Sequence, residues 1–164
     1  MTCRARLISL LAAIAIAAPG LAIAAEQPVA PYAVSDANAD ASPLHDDAVY
    51  RALHGREGIT RIVADLLERC RNDPRIADIF KATDFERLNR TLVEQICYVS
   101  GGPCHYTGRD MKTAHTDMGL QNADFNALVE DLQLAMNDEK VAFREQNRLL
   151  AKLAPMQPQV VQRR

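Results

Sequence analysis

The 164-residue chain has no tryptophan, and aromatic side chains make up only 5% of it. No stretch alternates apolar and polar residues as a half-buried strand does, and no unit recurs at a fixed interval, so sheet and repeat architectures are excluded. Basic charge is not in excess: 19 Lys and Arg stand against 21 Asp and Glu. Without a cationic face to displace counterions, neither nucleic acid nor an anionic membrane is an expected partner. No Ser/His/Asp set and no paired carboxylates suggest hydrolysis. Covalent haem attachment needs C-x-x-C-H, whereas Cys97, Cys104 and His105 are spaced C-x6-C-H.

Long apolar runs are missing everywhere except at the start. Leu7 to Ala18 is apolar, follows Arg4 and Arg6, is broken by Pro19-Gly20 and leads to Ala22 and Ala24 in an A-x-A pattern. The run is shorter than the roughly 20 residues a membrane span requires. Residues 1–25 therefore read as a secretory signal peptide, and the mature protein is expected to be periplasmic or secreted, with no membrane span. Loss of Arg4 and Arg6 leaves 17 basic against 21 acidic residues, a mildly acidic chain.

Residues 26–48, EQPVAPYAVSDANADASPLHDDA, are rich in Ala, Asp and Pro and poor in large apolar groups. Such a segment buries too little to offset its ordering entropy, so it is expected to be a flexible leader outside the fold.

What remains, residues 49–164, is helical by period. Ile59, Ile62, Val63, Leu66, Leu67 and Cys70 form one apolar stripe, ended by Asn72-Asp73-Pro74. Phe85, Leu88, Leu92, Ile96 and Val99 form another, with Asp84 as N-cap and Gly101-Gly102-Pro103 as the stop. A short helix is expected from Arg109 to Met118. The next is expected to be capped by Asn122 and to carry Phe125, Leu128, Val129, Leu132 and Met136. The last is expected to be capped by Asp138 and to bury Val141, Leu149, Leu150 and Leu153. The fold class is all-α, with four substantial helices and two or three short ones.

Export would place Cys70, Cys97 and Cys104 in an oxidising compartment. Cys97 and Cys104 flank the Gly-Gly-Pro reversal and are expected to form a disulfide, while Cys70 on its stripe reads as a small buried hydrophobe. A zinc site from Cys97, Cys104, His105 and His115 is arithmetically available, but it requires reduced thiols outside the cytoplasm. His45, His54 and His105 lie in the leader or in loops and read as solvated. His115 has no second ligand at metal spacing on its own short helix. A lone imidazole facing an apolar crevice is what a haem iron needs from a protein, since the porphyrin supplies four nitrogens.

The run GGPCHYTGRDMKTAH (101–115), followed by Gly119-Leu120, resembles the GGP-x-x-Y-[TS]-G-x-x-M-x-x-x-H signature of group 1 truncated haemoglobins. The resemblance extends through YRALHGREGI, DPRIADIF, FERL and NRLLAKLAPM. It implies a shortened globin, a two-over-two helical sandwich holding haem b, with His115 as proximal iron ligand. Phe80 matches the aromatic residue that packs on the porphyrin, and Tyr106, Thr107, Gly108 and Met111 match the proximal wall. The implied activity is reversible binding or transport of oxygen, with a reductase as a further partner.

Three distal positions and one in the first turn depart from the family. Leu67 stands where a distal Tyr is common, Leu92 where Gln is common, and Leu88 is apolar too; Leu53-His54-Gly55 replaces the usual Leu-Gly-Gly. Without a distal donor oxygen is held less well, whereas carbon monoxide and nitric oxide are less affected. Three alternatives stand beside a gas-binding protein: a haem enzyme such as a nitric oxide dioxygenase or peroxidase, an electron-transfer haem protein, and a haem-free helical binding module. The first lacks a distal acid or base, and the second lacks a clear second ligand.

Overall fold

A computed structural model describes residues 25–162. The signal-peptide reading of residues 1–25 therefore lies almost wholly outside them. The described residues are helical and contain no strand. In chain order the helices are α1 (Ala48–Ala52), α2 (Gly55–Asn72), α3 (Phe85–Val99), α4 (Met111–Ala114), α5 (Asn122–Asp138), α6 (Phe143–Leu153) and α7 (Gln157–Val160). Three 3-10 turns, Asp36–Ala39, Ala77–Phe80 and Ala154–Met156, lie between or before them.

The apolar stripes account for the packing. Ile59, Ile62, Val63, Leu66, Leu67 and Cys70 are all buried, and they seat α2 against both α3 and α5. Leu149 and Val141 bring α6 against α1, α3 and α5, so two helix pairs stack across one core. No helix of the described residues is long and apolar enough to cross a membrane.

Local chemistry sets most ends. Asp84 caps α3 by accepting from the Arg87 N–H at 3.1 Å. Gly101, at φ +86°, turns the chain after α3, and a β-carbon there would strike the Asp46 carbonyl. Three boundaries differ from expectation. α4 is only Met111–Ala114, because Asp110 caps it and Asp117, at φ +64°, reverses the chain soon after. Gln121, not Asn122, precedes α5, its N–H bonded to Asp124. Asp138 is the last residue of α5, and α6 begins only at Phe143 after a left-handed turn at Lys140.

The larger difference is the leader, which is woven into the domain. Ala39 is fully buried in a cluster with Tyr106, Met111, Leu120, Met156 and Val160. Asp36 accepts from the Tyr106 N–H at 2.7 Å and Asp40 from the Met111 N–H at 2.6 Å. Asn38 donates to the Gly108 carbonyl at 3.1 Å, Tyr32 to the Thr107 carbonyl at 2.8 Å, and the Leu44 N–H to Val99 at 3.0 Å. The expectation of a segment outside the fold weighed apolar burial alone. The segment is ordered instead by satisfying backbone groups of a loop that has no helix or sheet partner, each such bond contributing about 1 kcal/mol.

Candidate functional site

The loop from Gly101 to Asp110 carries the chain from the end of α3 to α4. Gly108 lets the Tyr106 ring fold back over its own loop, since a β-carbon would collide with that ring. The Tyr106 hydroxyl then donates to the Arg109 carbonyl at 2.9 Å. The Cα atoms of Cys97 and Cys104 stand 5.8 Å apart with their sulfurs in bonding contact, across the reversal that starts this loop.

α4 delivers His115 to a cavity of about 320 Å³. Leu67 from α2, Leu88 and Leu92 from α3, Phe80, Tyr106, Met111 and His115 all line this one cavity. Residues drawn from four parts of the sequence thus converge, and Ile76, Ile79, Leu128 and Val160 complete an apolar lining. Gln95 was not foreseen. It is buried, lines the cavity, and donates to the Ala39 carbonyl at 3.2 Å and towards the sulfurs of Met111 and Met156 at 3.6 Å. Its place one turn after Leu92 and Thr91 was the available signal.

The His115 ring is held by a bond between Nδ1 and the Met111 carbonyl at 2.7 Å. A carbonyl only accepts, so Nδ1 carries the proton and Nε2 keeps its lone pair. Burial lowers the pKa of the ring, and the bond to Met111 opposes this only in part. The neutral imidazole that a metal needs is therefore the favoured form. Among the described residues no group of three His, Cys, Asp or Glu side chains clusters as a metal site.

Three of the polar groups that line the cavity are already engaged. Thr91 donates to the Arg87 and Leu88 carbonyls at 2.9 and 3.2 Å, and Tyr106 and Gln95 are committed as described. Tyr98 packs against the core and is not among the residues lining the cavity. His105 lies away from it, 88% exposed and bonded to Asp36 at 2.9 Å. His54 bonds the Glu139 carbonyl at 3.0 Å on the surface.

The model of the bacterial-like globins matches residues 48–162. The chain belongs to that family. This globin is similar to the group 1 truncated hemoglobin of Tetrahymena pyriformis, at 30% identity over 90 residues that cover 55% of this chain and 74% of that protein. It is also similar to a group 1 truncated hemoglobin of Mycolicibacterium paratuberculosis, at 26% identity over 69% of this chain and 83% of that one. The crystal structure of the Tetrahymena pyriformis protein in its Fe(III) form has a TM-score of 0.67 at 26% identity, covering 69% of this chain and 97% of that one. A 2/2 hemoglobin from a Synechococcus species, at 24% identity and a TM-score of 0.64, shares the fold. The two-over-two globin sandwich expected from the sequence is the fold of this chain.

The family binds haem and, through it, diatomic gases. The cavity fits that group: its lining is largely apolar, and it contains one imidazole whose outer nitrogen is oriented by a backbone carbonyl and whose inner nitrogen is free.

Proposed function

We propose that this globin is exported and holds haem b with His115 as its iron ligand, binding a diatomic gas reversibly against a wall of leucines. The observation that carries the reading is the His115 ring, fixed through Nδ1 with Nε2 unprotonated, at a cavity lined by Phe80, Leu67, Leu88, Leu92, Tyr106 and Met111. Haem supplies the metal that accepts the gas. The protein would supply the rest: His115 would offer the lone pair of Nε2, Phe80 an aromatic face of the lining, and the leucines an apolar wall without a donor.

Lacking that donor, the pocket disfavours oxygen relative to carbon monoxide, because a hydrogen bond of about 1–3 kcal/mol acts chiefly on the more polar ligand. A Cys97–Cys104 disulfide belongs to the same reading. Its Cα separation of 5.8 Å suits a bridge, and a bridge suits an oxidising compartment.

Absorption spectra of the purified protein, oxidised and reduced, test this first: a Soret band with about one haem per chain is expected. His115→Gly should then lose haem and regain it when imidazole is added. Retention of an unaltered five-coordinate spectrum by that variant would falsify the ligand assignment.

A further inference from the structure

The cavity that His115 lines adjoins a second compartment of about 240 Å³, and the two share Thr83, Leu88, Thr91, Tyr106 and Ala114. The compartments differ in charge. The first is lined by Asp124 and by no lysine or arginine, whereas the second is lined by Arg87 and Arg109 with the single carboxylate of Asp84. Its outer wall contains Val29 and Tyr32, leader residues that precede the segment matched to the globins.

The two arginines are not equivalent. Arg87 is engaged in anchoring the leader: it pairs with Glu26 at 3.5 Å and Asp84 at 3.6 Å and donates to the Gln27 carbonyl. Arg109 forms no ion pair among the described residues. Its guanidinium lies 5.4 Å from the centre of the Tyr32 ring and donates to the Ala30 carbonyl at 3.3 Å. Tyr32 is itself fixed by its bond to the Thr107 carbonyl. The leader thus aims an uncompensated cation at the mouth of an apolar cavity.

Haem is an apolar disc with two carboxylates on one edge. Apolar walls suit the disc, but the carboxylates must end beside water or a cation, and a planar guanidinium suits a carboxylate. We propose that Val29 and Tyr32 of the leader, together with Arg109, complete the haem site by closing over its carboxylate edge, so that the leader governs how slowly haem leaves. The proposal rests on the haem reading above. It assigns a binding role to two leader residues, Val29 and Tyr32, that lie outside the globin match.

The test uses the full chain loaded either with haem or with haem dimethyl ester, which lacks the two charges, and follows transfer to an excess of a haem-scavenging globin. Arg109→Gln should speed loss of haem about tenfold and leave loss of the ester within about twofold of the parent. Tyr32→Ala should speed loss of both by about tenfold, while Tyr32→Phe, which keeps the ring under Arg109, should change either by about threefold at most. Dissociation of haem unchanged in either Arg109→Gln or Tyr32→Ala would overturn the proposal, as would equal acceleration of haem and ester by Arg109→Gln. A parent protein that takes up neither cofactor would instead overturn the haem reading itself, and this one with it.

Discussion

The leucines that α2 and α3 present to the cavity, Leu67, Leu88 and Leu92, are held by the same apolar packing that forms the core. The wall carrying His115 is held differently, by hydrogen bonds with a leader far away in sequence: Asp36 and Asp40 accept from the Tyr106 and Met111 N–H groups, and Asn38 donates to the Gly108 carbonyl. The first kind of wall follows from helices that would form anyway. The second is a loop with no ladder of its own, and it stays in place because another irregular segment satisfies its backbone. One side of a haem site can therefore be specified by side-chain volume while the other is specified by backbone bonding.

Breaking the brace at its base should have the largest effect. Cys97→Ser opens a loop of roughly eight residues, and the chain-entropy relation gives a loss of about 2.5 kcal/mol, read from urea unfolding of the oxidised parent and the variant. A variant as stable as the parent would mean that Cys97 and Cys104 are not bridged in solution.

Asp40→Gly probes the brace nearer the imidazole. Asp40 sits at φ +54°, so glycine adds no strain there, and the substitution removes only the acceptor for the buried Met111 N–H. A destabilisation of about 2 kcal/mol is expected, together with faster loss of haem. An unchanged haem dissociation rate would show that α4 holds His115 without the leader.

The apolar wall is sharpened by giving it the donor it lacks. Leu67→Tyr should slow oxygen dissociation about tenfold or more, equivalent to roughly 1.4 kcal/mol, while moving carbon monoxide dissociation much less. Stopped-flow measurement on both ligands decides it. If the parent already releases oxygen as slowly as the variant, a polar group reaches the ligand despite the commitments of Thr91, Gln95 and Tyr106.

The smallest effect lies behind that wall. Asp131 on α5 is buried, its Oδ2 has no hydrogen-bond partner, and burial with the nearby Asp73 raises its pKa. Its neighbour Cys70, also buried, has a thiol pushed up to about 12. A carboxyl whose pKa is raised on folding favours the native state while protonated, and that advantage disappears as pH rises through the raised value. Asp131→Asn should thus gain about 1 kcal/mol over the parent above the raised pKa of Asp131, and progressively less as pH falls through it, because the parent then takes up its proton. A gain independent of pH would locate the effect in packing instead.

Much of this was legible in the chain alone. The stripes of α2 and α3, the Asp84 cap and the glycine stop were visible because helix period and capping are local properties. Of the residues the resemblance points to, Leu67, Phe80, Leu88, Leu92, Tyr106, Met111 and His115 meet at one cavity, whereas Thr107 and Gly108, expected in its wall, do not line it. The ends of α4 and α6 were not legible, because left-handed turns at Asp117 and Lys140 have no glycine to announce them.

Sequence by itself determined the helices, their inward faces and the residue types at the cavity, since each depends on neighbours within a few turns. Only the tertiary structure decided the place of the leader. Its Ala, Asp and Pro composition predicts a chain without order, because composition registers apolar burial and is blind to unpaired backbone groups elsewhere. Those groups exist only once α3 and α4 are packed and the loop between them is exposed to a partner. At that point the carboxylates of Asp36 and Asp40 find N–H donors at 2.7 and 2.6 Å, and a segment that could not order itself is ordered by what it completes.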